Sequence, residues 1–454
     1  MENIINLPQQ YLNNMQKLLG EDFPKYLNAI NQEPVHGVRL NALKADKSIL
    51  QEFNILGEVP YAKNGYIIDT GKIGKHPYHI AGLVYVQEPS SMLAVCASGL
   101  DKEPDKNLCV LDLCASPGGK SGQIAEILAG DGVLVSNEID HKRAKVLAGN
   151  IERMGYTNVI VTNTNPATLS KNLVQKFDYV FVDAPCGGEG MFRKDPDTIL
   201  EWKQERLESN SNRQKEILAE AHKMLKPNGK LIYSTCTFAI EEDENVVEWF
   251  VKEFGYSLIM PDSDILNSTS SHTIKQCRRF YPHVAQGEGQ FVCVMQKPNE
   301  ELVYTYAGKP YKLGNNELKL VNDYINNTFN LPFAVNYTKV GENICLINEN
   351  LQNLLGFMQK IPQINVGVTI GSVEKGRLVP HHNMFTAFGK YAKQQINFDL
   401  KNVQLCKYLH GEQLENTFSL INGYAVICVD NHAIGGVRVS GNALKNLFPK
   451  GLRI

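Results

Sequence analysis

Several features that would assign the chain to a specialised class are missing from its sequence. The ten cysteines include no Cys-x-x-Cys pair, and no N-terminal apolar stretch flanked by positive charge indicates secretion. No apolar run reaches about 18 residues, so a transmembrane helix is not expected. Internal repeats and low-complexity tracts are absent as well. We therefore expect a protein of the reducing cytosol, with a cytoplasmic location and no membrane partner.

A strong charge of either sign is also missing. The net charge of −2 does not indicate a nucleic-acid partner. It does not exclude one either, because binding depends on local patches of charge rather than on the total charge. From Glu301 onward the chain has 15 Lys and Arg against 10 Asp and Glu, which leaves 31 against 38 before it. The basic surplus therefore lies at the C-terminal end.

The length of 454 residues is too great for one hydrophobic core, since domains typically hold about 100 to 200 residues. A hydrophobic content of 43% is ordinary for a globular protein. Shifts in pattern and a Lys-Pro-Asn-Glu linker at 297–300 divide the chain into four segments. We expect an α+β extension at 1–95, an α/β core at 96–297, a small α+β domain at 298–366 and a β-rich module at 367–454.

The segment from residue 107 onward alternates short apolar runs with helical stretches, which is typical of a doubly wound α/β sheet. Strands are predicted at 108–113, 132–137, 158–162, 179–182 and 230–233. A helical stretch at 197–225 has the length of a right-handed crossover between the last two strands. Those two strands are therefore expected to be neighbours.

Two of these strands end in a polar turn that contains a cysteine. Residues 179–188 read Tyr-Val-Phe-Val-Asp-Ala-Pro-Cys-Gly-Gly, and residues 230–237 read Lys-Leu-Ile-Tyr-Ser-Thr-Cys-Thr. Ligands of open α/β sheets bind beyond the carboxyl ends of the strands, so Cys186 and Cys236 are expected to face one pocket. A single cysteine at a strand end is usually a packing residue. Two at adjacent ends, beside helix N-termini and Lys120, are candidates for reactive thiols.

A glycine-rich turn follows the first strand of the core. Residues 110–120 read Val-Leu-Asp-Leu-Cys-Ala-Ser-Pro-Gly-Gly-Lys and lead into a helix whose first amides are free to bind a ligand. A phosphate-binding P-loop would need glycine five residues before Gly119, where this chain has Cys114. Glu138 follows the second strand, where an acid can accept hydrogen bonds from ribose hydroxyls. These features favour S-adenosylmethionine over a dinucleotide.

Three motifs resemble those of the RsmB/NOP-type RNA 5-methylcytosine methyltransferases. They are Leu-Cys-Ala-Ser-Pro-Gly-Gly-Lys at 113–120, Asp-Ala-Pro-Cys at 183–186 and Ser-Thr-Cys-Thr at 234–237. The resemblance extends to Arg-Leu-Asn at 39–41, to Arg-Phe-Tyr-Pro-His at 279–283 and to the C-terminal segment 408–453. That last segment is similar to the PUA-like tail of the RsmF branch, which methylates 16S ribosomal RNA.

The resemblance implies a Rossmann-like methyltransferase core between RNA-binding pieces, with a role for each motif residue. Cys236 is expected to add to carbon 6 of a cytosine, and Cys186 to assist release of the covalent adduct. Glu138 is expected to accept from the cofactor ribose, and Asp183 to contact the cofactor or the base edge. The loop expected to hold S-adenosylmethionine consists of Cys114, Ala115, Ser116, Pro117, Gly118, Gly119 and Lys120.

One position departs from the family pattern. Where the family often has an Asp that contacts the adenine amine, this chain has Asn165, whose amide oxygen can still accept from that amine. Basic side chains near the C-terminus are expected to contact RNA phosphates. They are Arg438, Lys445, Lys450 and Arg453. His381 and His382 lack partners at a metal-ligand spacing, so no metal is expected.

The expected substrate is 16S ribosomal RNA, free or in the small subunit, and the expected oligomeric state is a monomer. Transfer RNA is the alternative substrate for the same chemistry. A non-catalytic RNA-binding assembly factor is a second alternative, against which the intact loop and both cysteines argue. DNA cytosine methylation is disfavoured, because its single nucleophile normally follows a Pro-Cys turn, whereas here a second cysteine stands in Ser-Thr-Cys-Thr.

Overall fold

The computed structural model describes residues 5–70, 72–261, 268–271, 273–303, 305–308 and 311–454. Within these residues the strands form four sheets, of which the largest has ten strands. No helix among the described residues is long and apolar enough to cross a membrane. Each sheet is built mainly from one stretch of the sequence. The exceptions are a strand at 363–366 that joins the large sheet, and a hydrophobic core shared by the two ends of the chain.

The N-terminal segment supplies short helices and a small antiparallel sheet. Its helices are α1 (Gln9–Leu19), α2 (Phe23–Ile30), α3 (Pro77–Ile80) and α4 (Leu93–Ala97). Its strands are β1 (His36–Leu40), β2 (Ile55–Glu58), β3 (Gly65–Ile68) and β4 (Val84–Val86), in the order β2-β3-β1-β4. The predicted α+β extension is thereby confirmed.

The central segment forms most of the large sheet. Its strands are β5 (Cys109–Asp112), β6 (Val133–Asn137), β7 (Val159–Thr162), β8 (Phe177–Asp183), β9 (Leu225–Thr235), β10 (Ser257–Ile259), β11 (Thr269–Ser270), β12 (Arg278–Phe280) and β13 (Gln290–Gln296). Strands β5 to β9 pair in parallel in the order β9-β8-β5-β6-β7, and β13 joins β9 antiparallel. The order reverses at β5, which places a binding crevice at the carboxyl ends of β5 and its neighbours. The α/β prediction is confirmed.

Helices cover both faces of this sheet because its strands are apolar on both sides. The helices are α5 (Gly119–Leu128), α6 (His141–Met154), α7 (Pro166–Asn172), α8 (Asp197–Glu201), α9 (Arg206–Met224) and α10 (Glu244–Phe254). Successive residues of β6 alternate between two hydrophobic clusters: Val133 and Val135 pack on one face, and Leu134 packs on the other. Both faces of the sheet are thus covered by apolar side chains, and the polar side chains of the site lie at the strand ends.

The stretch 315–380, which runs past the predicted boundary at 366, contributes to two sheets. Its elements are α11 (Asn315–Thr328), β14 (Asn336–Val340), β15 (Asn343–Ile347), α12 (Glu349–Leu355), β16 (Gln363–Val366), β17 (Val368–Glu374) and β18 (Arg377–Pro380). β16 pairs antiparallel with β7 and so extends the large sheet, while β17 pairs with β15. A boundary between 366 and 367 therefore separates two strands that belong to one small sheet.

The C-terminal segment folds as a five-stranded sheet with two helices. Its elements are α13 (His382–Phe388), β19 (Gln395–Phe398), α14 (Val403–His410), β20 (Leu414–Glu415), β21 (Gly423–Val429), β22 (His432–Ser440) and β23 (Ala443–Asn446). One hydrophobic cluster contains both N-terminal residues such as Val84 and C-terminal residues such as Tyr408. The two ends of the chain thus share a core, and Tyr78 donates a 2.7 Å hydrogen bond to Asp430 across it.

Candidate active site

The two cysteines predicted at strand ends lie side by side. β8 and β9 pair in parallel with Asp183 opposite Ser234, so the turns that follow them are neighbours. The Sγ atoms of Cys186 and Cys236 are 3.4 Å apart. The hydrogen bond with Cys236 and burial raise the pKa of the Cys186 thiol well above its ordinary value. Cys186 is therefore protonated at neutral pH and can donate a hydrogen bond towards Cys236.

The Asp183 carboxylate lies at the centre of a set of polar contacts beside these thiols. It accepts from the Lys120 ammonium at 2.8 Å and from the Ser234 hydroxyl at 2.7 Å. The Gln290 amide adds a third contact at 3.2 Å. Three neighbouring strands and the cofactor loop are thus tied together at one carboxylate, which keeps the strand ends in fixed positions.

The predicted cofactor loop connects β5 to α5. Gly118 has φ = 113°, in the region that side-chain-bearing residues rarely adopt, and it directly precedes the first turn of α5. The first amides of a helix have no partner within the helix. Cys114 and Ser116 line the crevice, whereas Ala115, Pro117, Gly118, Gly119 and Lys120 are not part of its lining.

A cavity of about 600 Å³ opens at the carboxyl ends of the parallel strands. Its volume suits a ligand the size of a nucleoside with a short side chain. It brings together seven of the residues that the sequence predicts for the site. These are Cys114, Ser116, Glu138, Asn165, Asp183, Cys186 and Cys236. The cavity therefore runs from the loop to the two thiols.

Glu138 occupies the position predicted for a ribose acceptor. It follows β6 and is only 4% exposed, yet it contributes to the cavity wall. One carboxylate oxygen accepts from the Asp140 amide at 3.0 Å, and the other lies 3.4 Å from the Arg143 guanidinium. These contacts fix the carboxylate and still leave lone pairs for hydroxyl donors in the cavity.

Asn165 also lines the cavity, and its side chain caps a helix. Its Oδ1 accepts from the Thr168 amide at 2.8 Å and so caps the N-terminus of α7. An amide oxygen has two lone pairs, so a second donor can still reach it. The capping bond fixes the side chain in a single orientation.

Two buried side chains next to Cys186 were not predicted from the sequence. Gln214 on α9 and Glu242, in the turn after Cys236, are both 0% exposed and are joined by a 2.7 Å hydrogen bond. Glu242 accepts from the Gly187 amide, and Gln214 donates to the Pro185 carbonyl. No spacing in the sequence indicates either one, because both act on backbone atoms of a loop that is remote in the chain.

The basic residues predicted to meet RNA lie at the surface of the C-terminal sheet and tail. Arg438 on β22 stands opposite Lys445 on β23, and both are exposed. Lys450 and Arg453 are exposed near the end of the chain. Within the described part of the chain, no group of three or more His, Cys, Asp or Glu is arranged to hold a metal ion.

Family models match three parts of the chain. Residues 100–296 match 16S rRNA methyltransferase RsmB/F. Residues 7–89 match the N-terminal domain of 16S rRNA methyltransferase RsmF, and residues 395–454 match the methyltransferase RsmF PUA domain. The matched ranges leave out the whole intermediate segment, 298–366.

Similar proteins cover the whole chain. Ribosomal RNA small subunit methyltransferase F of Aliivibrio salmonicida is 29% identical over 100% of this chain and 98% of its own length. The protein of that name from Vibrio cholerae is 29% identical over 99% and 98%.

Solved structures share the fold. A methyltransferase homolog protein from Pyrococcus horikoshii is 27% identical with a TM-score of 0.54, over 64% of this chain and 96% of that one. NSun6 from the same organism is 19% identical with a TM-score of 0.55, over 65% and 100%, and shows the fold alone. The matches of the core, N-terminal and PUA models, together with the full-length relatives, show that the chain belongs to the RsmB/F family of 16S rRNA methyltransferases.

Proposed function

We propose that this protein transfers a methyl group from S-adenosylmethionine to carbon 5 of a cytosine in 16S ribosomal RNA, through a covalent adduct with Cys236. The observation that carries the proposal is that two thiols, 3.4 Å apart, line the same cavity as Glu138 and the loop residues Cys114 and Ser116. A methyltransferase without a covalent step has no need of a thiol pair at that place.

The cavity residues fit S-adenosylmethionine. Glu138 can accept from the ribose hydroxyls and Asn165 from the adenine amine, while Cys114 and Ser116 of the cofactor loop form part of the same wall. When bound, this cofactor supplies an activated methyl group on a sulfonium. Lys120 is engaged with Asp183, so its role is to hold that carboxylate beside the cofactor loop.

The cysteines perform the step that carbon 5 of cytosine cannot undergo unaided. The Cys236 thiolate adds to carbon 6, and the electron pair of the carbon 5–carbon 6 double bond becomes available at carbon 5 for methylation. Loss of the carbon 5 proton to solvent restores the double bond, and the electron pair of the carbon–sulfur bond returns to Cys236. The Cys186 thiol assists this release by donating a hydrogen bond to the departing sulfur. The base must be unstacked to reach both thiols.

Ribosomal RNA of the small subunit is proposed as the substrate because the full-length relatives carry that activity in their names. The PUA segment and the exposed residues Arg438 and Lys445 offer a surface for RNA phosphates. A cytoplasmic location and action as a monomer are part of the same proposal.

The test uses purified protein with S-adenosylmethionine carrying a tritiated methyl group. Deproteinised 16S RNA, 30S subunits and transfer RNA are offered in parallel to wild type, Cys236→Ala and Cys186→Ala. We expect label in ribosomal RNA from wild type, none from Cys236→Ala, and a protein–RNA adduct that accumulates with Cys186→Ala. Label in transfer RNA alone would contradict the proposal that ribosomal RNA is the substrate. Cofactor binding without any label would favour a non-catalytic RNA-binding factor.

A further inference from the structure

The two peptide units that flank Cys186 are held by a pair of buried side chains. On the N-terminal side, Gln214 Nε2 donates to the Pro185 carbonyl at 3.0 Å. On the C-terminal side, the Gly187 amide lies 3.1 Å from each carboxylate oxygen of Glu242. Gln214 Nε2 also donates to Glu242 Oε2 at 2.7 Å, so the two contacts are linked. We call Gln214 and Glu242 the Cys186 clamp.

The clamp has little room to move. A Cβ added to Gly187 would lie 2.9 Å from Glu242 Oε1, so the glycine lets the carboxylate approach the turn. The Glu242 backbone carbonyl accepts from the Tyr233 hydroxyl at 2.5 Å, which anchors the clamp to β9. The clamp therefore joins α9 and both cysteine-bearing turns, and it fixes the backbone on either side of one thiol.

A buried carboxylate is an unfavourable group for a purely structural contact, because burial disfavours its charged form. Burial raises the pKa of Glu242 to about 7, and Glu189 adds to the effect. The titratable groups around it are Cys186 and Glu189 in the turn after β8, Tyr233 on β9 and Asp243 beside it. Gln214 and Asn210, which face it from α9, are uncharged. The main contacts that lower the pKa of Glu242 are hydrogen bonds from Gln214, Asn210 and the Gly187 amide.

We propose that Glu242 and Gln214 are positioning residues for Cys186, which hold its thiol against Cys236 in the protonated form that assists release of the RNA adduct. This inference rests on the proposed function. The clamp acts at the release step, in which the carbon 5 proton passes to solvent and the carbon–sulfur electron pair returns to Cys236. The two backbone contacts, to the Pro185 carbonyl and the Gly187 amide, direct the thiol towards the departing sulfur.

The test compares turnover and adduct level in Glu242→Gln and Gln214→Leu. We expect roughly 10- to 100-fold lower kcat in each, the range for a displaced catalytic group, with KM for cofactor and RNA unchanged. Protein–RNA adduct should accumulate, as in Cys186→Ala, because addition and methylation still occur. Either variant removes the clamp, so the test does not depend on one of them folding. Glu241→Gln is the matched control, since Glu241 is the exposed neighbour of Glu242.

A double-mutant cycle separates positioning from general support of the fold. In a Cys186→Ala background, Glu242→Gln should cause no further loss, because the thiol on which it acts is gone. An equal loss in both backgrounds, or an adduct level like that of wild type, would overturn the inference. Failure of the proposed function would look different: wild type would give no methylated RNA and Cys186→Ala would trap no adduct.

Discussion

The ammonium group of Lys120 lies 2.8 Å from the Asp183 carboxylate, and this ion pair joins the cofactor loop to the strand end that precedes Cys186. Both partners are largely withdrawn from solvent, with side-chain exposures of 11% for Lys120 and 31% for Asp183. Solvent therefore screens the pair only partly. This ion pair links the cofactor loop to the turn that carries Cys186. A substitution in the loop is therefore expected to affect the position of the thiols as well.

Replacement of Lys120 by Met tests this link. We expect Lys120→Met to lower kcat/KM by roughly 10- to 100-fold, because Asp183 loses its cation and the loop loses its tie to β8. Calorimetric titration with S-adenosylmethionine and the methyl-transfer assay would measure cofactor binding and methyl transfer separately. Lys145→Met, a change at an exposed lysine of α6, is the control. Wild-type values for Lys120→Met would show that the ion pair is incidental.

The sequence predicted the parallel sheet and the adjacency of the two cysteine turns, because buried strands and a crossover helix follow from local patterns. It did not predict the Lys120–Asp183 contact. The sequence places Lys120 in the cofactor loop and near the thiols, but the direction of a long side chain depends on what the tertiary fold places nearby. The clamp residues Gln214 and Glu242 were missed for the same reason.

Two features of the architecture were also beyond prediction from the sequence. β16 extends the large sheet from about 200 residues further along the chain, pairing with β7, and the apolar pattern of a short strand does not identify its partner. The core shared by the N-terminal and C-terminal segments is another long-range contact. Each segment alone has the pattern of a separate α+β or β-rich piece, so separate modules were expected.

Arg279 is expected to be critical for stability. Its fully buried guanidinium lies 2.9 Å from Asp243, pairs with Glu244 and donates to the Phe238 carbonyl at 3.1 Å. Arg279→Met would leave two buried acids without their cation, which typically costs about 3 to 5 kcal/mol in the free energy of unfolding. Urea denaturation would measure the loss. Arg278→Met, at the partly exposed neighbouring residue, should change stability far less, and equal effects would contradict the prediction.

Asp112 should make stability depend on pH. Burial raises the pKa of its carboxyl from 3.8 to about 7, and Oδ1 has no partner among the described residues. Because the folded state holds the proton more tightly than the unfolded state, the stabilisation from protonation is complete below pH 4 and lost as pH rises to 7. Asn cannot ionise. Asp112→Asn should therefore gain stability over wild type through this window, by up to about 1.4 kcal/mol per pH unit.

Thermal or urea unfolding of Asp112→Asn and wild type at several pH values would measure that difference. A difference that stays constant between pH 4 and pH 7 would show that Asp112 does not titrate with a raised pKa. Ser121 donates to Asp112 Oδ2 at 2.6 Å, and an Asn side-chain oxygen can accept the same bond. The comparison therefore isolates the charge.

The contact between the two ends of the chain should be measurable through Tyr78. Its hydroxyl donates to Asp430 at 2.7 Å, and its ring is buried in the shared core. Tyr78→Phe keeps the ring and removes the hydrogen bond, so we expect a loss of about 1 kcal/mol in the free energy of unfolding. Tyr306→Phe, at a fully exposed tyrosine, is the control. Equal stability of both variants would indicate that the bond is not formed in solution.

Asn165 allows the departure from the family pattern to be tested directly. Asp caps a helix as well as Asn does, so Asn165→Asp keeps the bond to the Thr168 amide. The added charge makes a stronger acceptor for the adenine amine, worth about 1 kcal/mol, or roughly a fivefold tighter Kd for S-adenosylmethionine. Asn402→Asp is a matched control, because Asn402 caps α14 through the same kind of bond, to the Gln404 amide, and does not line the cavity.

Calorimetry should therefore show tighter cofactor binding for Asn165→Asp alone, while thermal unfolding shows similar small effects for both variants. Unchanged affinity in Asn165→Asp would mean that the adenine amine does not reach this side chain. In that case Asn165 only caps α7 and is not part of the proposed cofactor site. Tighter binding by Asn165→Asp, in contrast, would show that the Asn165 amide accepts a weaker hydrogen bond from the adenine amine than the Asp that the family often has there.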